Sequence, residues 1–168
     1  MLPGTMSEVK SLVVFYSRSG TTRKAAEKIS NLLKSDIEEV IDMKNRAGAL
    51  GWFISGMDAA LKRLTVIKET KNDPASYDVV VLGTPVWAGT MSSPIRTFIS
   101  QNKGHLRKVA LFCTCGDSGK VALEALQDLC GSKPIASLEV KTKEVVKEEC
   151  IRKCEAFVKE IDRASART

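Results

Sequence analysis

Between positions 17 and 22 the chain reads Ser17, Arg18, Ser19, Gly20, Thr21, Thr22: four hydroxyl side chains, one guanidinium and one glycine in succession. Ahead of them Leu12, Val13, Val14, Phe15 and Tyr16 form a short apolar run of the kind a strand shows when both its faces are buried. Behind them Ala25, Ala26, Ile29, Leu32 and Leu33 recur at helical spacing. A strand-to-helix turn of this composition gathers backbone N–H and hydroxyl donors at the positive end of a helix dipole. It is therefore a seat for an anion, most naturally a ligand phosphate. A helix that is simply well capped by Ser and Thr is the alternative reading of the same residues.

Two further strand-to-helix loops have related chemistry. Residues 77–83 read as a second buried strand, followed by Thr84, Pro85, Val86, Trp87, Ala88 and Gly89. Trp87 stands among turn residues rather than in an apolar period, an odd place for an indole unless something flat lies against it. Ser92 or Ser93 can cap the next helix, with Pro94 in its first turn and Ile95, Phe98 and Ile99 as its buried stripe. A third strand, 108–112, leads into Cys113, Thr114, Cys115, Gly116 and Asp117, and then into an apolar helix over 121–129. In an open parallel α/β sheet, ligands bind where such loops leave the carboxyl ends of the strands.

On these three loops the chain resembles the flavodoxin family, from about residue 11 to residue 158. The first loop is similar to the family's phosphate loop, the second to its tryptophan-bearing loop, and the third to the loop on the flavin's other side. The resemblance implies FMN as cofactor. Ser17, Arg18, Ser19, Gly20, Thr21 and Thr22 would hold its phosphate, with Gly20 letting the backbone approach closely. Thr84, Pro85, Val86, Trp87, Ala88 and Gly89 would line one side of the ring, with Trp87 the candidate stacking partner. Cys113, Thr114, Cys115, Gly116 and Asp117 would flank the other side. The third loop lacks the aromatic that long-chain flavodoxins commonly carry, leaving one ring face open to a substrate, a partner or solvent.

The elements that must position these loops follow from pattern. Residues 37–41 and 136–140 mix polar and apolar positions, as edge strands do, whereas the other three runs are continuously apolar. This predicts a doubly wound, five-stranded parallel sheet in the order 2-1-3-4-5 with helices on both faces, in the short-chain form. Residues 49–64 have helical character, with Trp52, Phe53, Met57, Ala60, Leu61 and Leu64 apolar, and are read first as a covering helix, with packing beside the flavin site as the alternative. Gly48, Gly51 and Gly56 weaken it, each costing a helix interior about 1 kcal/mol against alanine. The expected organisation is a disordered lead-in (1–8), one domain (9–163) and a frayed end (164–168).

At 168 residues, 43% hydrophobic and 27% charged, the composition is that of a single cytoplasmic globular domain. No apolar run approaches the roughly 20 residues needed to span a bilayer, so no membrane insertion is expected. The five cysteines make no secreted disulfide framework and no zinc pattern. Cys150 and Cys154 read as core residues, and Cys115 is expected near the flavin edge without an activating partner. Gly116 to Lys120 misses the P-loop spacing, and no dinucleotide fingerprint follows the first strand. The acidic cluster of a receiver domain and the arginine of a phosphatase cradle are missing too.

The resemblance leaves two activities open: an electron carrier docking with redox partner proteins, or an FMN-dependent NAD(P)H:quinone or other small-acceptor oxidoreductase. The net charge is +6, whereas carrier flavodoxins are usually acidic. Asp117 is the only acid in the three loops, opposed by Arg18, with Lys120 and Arg96 just beyond. A less negative second reduction step and docking to acidic partner patches are therefore expected. The like-charge runs are too short to suggest nucleic acid. A monomer or weak dimer is expected.

Overall fold

The computed structural model describes residues 9–167; the expected lead-in, 1–8, lies outside them. In chain order the elements are β1 (Ser11–Phe15), α1 (Thr21–Leu33), β2 (Asp36–Glu39), α2 (Gly48–Ala60), β3 (Val79–Trp87), β4 (Thr90–Met91), α3 (Ser93–Asn102), β5 (Lys108–Cys115), α4 (Lys120–Cys130), β6 (Ser137–Lys141) and α5 (Glu148–Ser165). Regular structure thus continues past the expected boundary at 163. Short 3₁₀ turns precede β3 and follow α3 and β6.

Five strands pair in parallel in the order β2-β1-β3-β5-β6. This is the expected 2-1-3-4-5 order once the small β4, which pairs only with β3, is set aside. The continuous apolar runs are explained by the two cores they serve. Val13, Phe15, Val81 and Phe112 pack toward α1 and α5, while Leu12, Val14, Leu82 and Leu111 pack with the α3 and α4 side chains Ile95, Phe98 and Leu126. Each such buried side chain contributes about 1.5–3 kcal/mol relative to exposure. β6 leaves alternate positions partly exposed and β2 leaves all four of its residues at least partly exposed, as edge strands do.

Two expectations need correction. Residues 84–87 are not loop: β3 runs on through Trp87, and Ala88 (φ 46°) and Gly89 (φ 79°) turn the chain back into β4. Two successive positive φ values give the mirror-image hairpin turn that suits the twist of paired strands. The second correction concerns α2. The helix exists, but it buries Gly51, Ser55, Asp58 and Ala59 and turns Leu50, Trp52, Phe53 and Met57 outward. It is the reverse of a covering helix. The cause is Arg46, which is 4% exposed beneath it and needs the polar side chains for itself. Gly51 makes the contact close enough, since a Cβ there would stand 2.3 Å from the Arg46 carbonyl carbon.

Gly83 has a similar steric role in β3, because a Cβ there would lie 2.0 Å from the Phe112 ring. Gly83→Ala should therefore destabilise the fold by about 1–3 kcal/mol through overpacking. Urea unfolding is the check, and an unchanged midpoint would mean that the ring moves freely aside.

Candidate functional site

At the carboxyl edge of the sheet a cavity of about 350 Å³ is lined by Ser17, Arg18, Ser19, Thr21 and Thr22 from the first turn. Pro85, Val86 and Trp87 come from the end of β3, and Thr114, Cys115 and Gly116 from β5 and its loop. Two lining residues come from elements outside the expected site: Trp52 of α2 and Thr142 after β6. The volume falls within the range of small-molecule and cofactor pockets.

The first turn is built as an anion seat requires. Gly20 adopts φ 93°, a conformation that suits glycine, and its N–H donates to Ser17 Oγ at 3.0 Å. The ladder of α1 begins with the Lys24 N–H donating to the Gly20 carbonyl, which leaves the N–H groups of Thr21, Thr22 and Arg23 without partners inside the helix. α1 carries no acid in its first turn. Arg18 Nη1 donates to the Arg46 carbonyl at 3.4 Å, which draws that side chain toward the long β2–α2 connection. Thr22 is buried and shares a 2.7 Å hydrogen bond with Thr114, tying the first turn to β5. Its hydroxyl is a strut between elements, and Ser17, Ser19 and Thr21 offer the more accessible ones.

Trp87 is half-buried and already partnered. Its ring meets Tyr16 edge-on, with centroids 5.4 Å apart and planes at 86°. The Arg46 guanidinium lies over the ring 5.1 Å from its centroid, a cation–π contact. One face is thus occupied, and only the remaining face and edge are left for a ligand. Trp52 is 66% exposed beside the same cavity, so a second indole is available there. Of the two readings of residues 49–64, packing beside the site fits this better than a mere cover. The signal was the glycines themselves: a helix that tolerates their cost needs a close approach to repay it, and Gly51 makes one against Arg46.

Beneath the cavity edge lies a buried ionic cluster. Arg46 Nε donates to Asp42, and Nη1 donates to Asp58 at 3.0 Å and to Ser55 Oγ at 3.3 Å. Lys44 also reaches Asp58, at 2.7 Å, and Asp42 accepts from Thr65 Oγ1 at 2.8 Å. Burial alone would raise the Asp58 carboxyl, but hydrogen bonds from Lys44 and Arg46 outweigh it and hold the group below its ordinary value. Burial, with Asp42 adding to it, pushes the Tyr16 hydroxyl up to about 12.

Several expected site residues stand apart from the cavity. Thr84 is fully buried and bonded to Ser92, to which it anchors the start of α3. Ala88 and Gly89 form the hairpin turn, Asp117 is exposed, and Gly20 shapes the seat without lining it. Cys113 lies in the sheet interior with its thiol against Gly119. Arg96, expected to add charge near the cavity, is buried in α3 and does not line it. Gly119 is fixed instead by Glu139 of β6, whose carboxylate accepts its N–H at 2.7 Å.

All five cysteines are buried and free. Burial pushes the Cys113 thiol up to about 12, and burial with Glu139 also raises Cys115. Cys115 is thus held as a thiol rather than poised as a nucleophile. In the native protein near neutral pH, an alkylating reagent should leave all five unmodified, and denaturant should expose all of them. Rapid native labelling of Cys115, read by mass spectrometry, would contradict this.

Similarity to known proteins follows the same geometry. A sequence model of the flavodoxin family matches residues 10–153. The crystal structure of a flavoprotein from Lactobacillus acidophilus in complex with FMN is similar at 28% identity, with a TM-score of 0.66 over 82% of this chain and 96% of that one. The solution structure of the apo-form of the flavoprotein from that organism is similar at 30% identity, with a TM-score of 0.57, covering 79% and 91% of the two chains. Oxidised flavodoxin 1 of Bacillus cereus shares the fold at 19% identity and a TM-score of 0.57, over 92% of this chain and 97% of that one. No curated protein sequence matches the chain. With 10–153 matched, most of the chain is accounted for: it belongs to the flavodoxin family.

Proposed function

We propose that the cavity binds FMN and that the protein transfers electrons between redox partner proteins. The observation that carries this reading is one cavity shared by an anion seat, two indoles and the loop after β5. The donor set fits the group: unpaired helix N–H groups, Ser17, Ser19 and Thr21 with Arg18 suit a phosphate, while Trp87 and Trp52 suit a flat ring. Bound there, FMN supplies reversible uptake of one or two electrons. The side chains bind and orient it, and Thr22–Thr114 keeps the two loops at a fixed separation.

The test is direct. The purified protein should be yellow, or its colourless form should bind FMN and quench tryptophan emission. Absence of flavin binding would sink the reading. Trp52 cannot serve as an unaffected reference, since it lines the cavity with Trp87. Trp87→Phe and Trp52→Phe, measured separately, assign the quenching, and each truncation to alanine should loosen FMN by about 1–3 kcal/mol.

The positive charge supports partners with acidic docking patches, and complex formation should weaken as salt rises. The second reading is an FMN-dependent NAD(P)H:quinone or small-acceptor oxidoreductase. It draws on the loop after β5, which brings no aromatic to the cavity, and on the exposure of Trp52 beside it. Steady oxidation of NADH or NADPH by a quinone with catalytic amounts of the flavin-loaded protein distinguishes the two.

A further inference from the structure

We propose that the outward face of α2 seats on the surface of an anionic membrane. The inference is independent of the flavin. It starts from the inversion of this helix, whose apolar side chains point away from the protein. Leu50, Phe53, Met57 and Leu61 follow one another at helical spacing, and their exposures run 72%, 62%, 39% and 57%. Trp52 flanks them, and Leu64 continues the face past the helix end. The α2 helix has 13 residues, so the strip is about 20 Å long. Surface helices of folded domains normally turn such a stripe inward.

What covers the face is constrained by charge and hydrogen bonding. Between residues 43 and 68 every exposed charge is positive: Lys44, Lys62, Arg63 and Lys68. The two nearby acids, Asp42 and Asp58, have side chains only 3% and 4% exposed and are paired with Arg46, Lys44 and Arg63, so Lys62 and Lys68 are the cations of the margin outside these pairs, with the exposed Glu69 following Lys68. Any occupant must therefore be apolar at its centre and anionic at its rim. A second copy of this chain is disfavoured, because a two-fold contact sets the same patch, and so the same cations, against itself.

A protein partner is disfavoured on a different ground. Protein interfaces carry about one hydrogen bond per 100–200 Å². Apart from the Trp52 indole N–H, Ser55 and Asp58 carry the only polar side-chain groups between residues 47 and 61, and both are buried. Past its first turn the helix backbone is bonded internally, so the strip offers a polar surface little beyond the Trp52 indole N–H and the N–H groups at the helix start. Hydrocarbon asks for no such bonds. Tryptophan, phenylalanine and leucine on one face with lysines at the margin are the composition of helices that lie in the headgroup region of acidic lipids. Such seating is shallow, and among the described residues no helix is long and apolar enough to cross a membrane. Because Trp52 belongs both to the strip and to the cavity wall, seating would bring the cavity mouth to the lipid surface.

The experiment is co-sedimentation of the full chain, with and without FMN, with vesicles of phosphatidylglycerol and phosphatidylcholine in equal parts. Vesicles of phosphatidylcholine alone serve as comparison. Wild type should pellet with the anionic vesicles and much less with the neutral ones. The double variant Leu50→Ser, Phe53→Ser should lose about tenfold or more in partitioning. Lys62→Glu with Lys68→Glu should lose at least about fivefold per lysine, and added salt should mimic it. All four side chains are exposed, so both variants should melt like wild type. Equal pelleting with both vesicle types, or anionic binding that survives the Leu50 and Phe53 changes, would overturn the proposal. So would a wild-type dimer that ignores vesicles and dissociates in that variant, which would assign the face to a second copy. Loss of flavin binding alone would leave this result untouched.

Discussion

Thr21→Glu is expected to lower FMN affinity by a hundredfold or more while changing riboflavin affinity by less than about threefold. Thr21 is the first residue of α1 and lines the cavity, and its N–H is one of those without a partner inside the helix. A carboxylate about 4 Å from a phosphate charge, at an effective dielectric near 20, costs about 4 kcal/mol. A lost hydrogen bond to a charged group adds about 1.5–3 kcal/mol. Even after screening, roughly 3 kcal/mol should remain, a little over a hundredfold. Riboflavin has no phosphate and escapes most of this. The fold should not suffer, because an acid in the first turn complements the helix dipole and α1 has none. Melting temperature therefore separates a damaged seat from a damaged protein. Equal losses for the two ligands would show that the turn does not hold phosphate.

Arg46→Met should destabilise the fold by about 3–5 kcal/mol, the usual cost of removing one partner from a buried ion pair. Lys44 and Arg63 remain to pair with Asp58, so the stranded group is Asp42. Adding Asp42→Asn should then recover much of the loss, and a double-mutant cycle in urea would measure the coupling. Additive losses would mean that the two side chains act independently. The same cluster sets a pH limit. The Asp58 carboxyl lies lower in the folded protein than in the unfolded chain, so its contribution is complete above the unfolded value, about 4. It is lost as pH falls through the lower folded value. Acid should weaken wild type over that range and the Arg46 variant less steeply.

The consequences reach the cavity, because Arg46 also covers one face of Trp87 and accepts from Arg18 through its carbonyl. FMN binding by the folded Arg46→Met protein should weaken for want of order in both loops. In a single-sequence reading Arg46 is one cation among 26 lysines and arginines. Its burial is visible only when β2, α2 and the end of β3 are brought together.

Much was legible from residue types and spacing alone. The parallel sheet and its order were readable because burial on both faces leaves a continuous apolar run, while edge strands must mix polar positions in. The strand-to-helix turn proposed as the anion seat was readable because it is local: six consecutive residues between β1 and α1 carry the donors, and Gly20 takes a positive φ there. Trp87 and the Thr114–Gly116 stretch were readable because strand ends in such a sheet converge on one edge.

Tertiary structure decided the rest, through partners distant in the chain. Thr22 became a strut because Thr114, 92 positions away, faces it. Thr84 and Cys113 left the cavity wall because they pair with each other inside the sheet, short of the strand ends, where Ser92 and Gly119 cover them. Trp52 joined the cavity, and the apolar stripe of α2 faced outward, for one reason. Periodicity reveals that a helix has two faces, but only the buried Arg46, with Asp42 across from it, determined that the polar face would be the one turned inward.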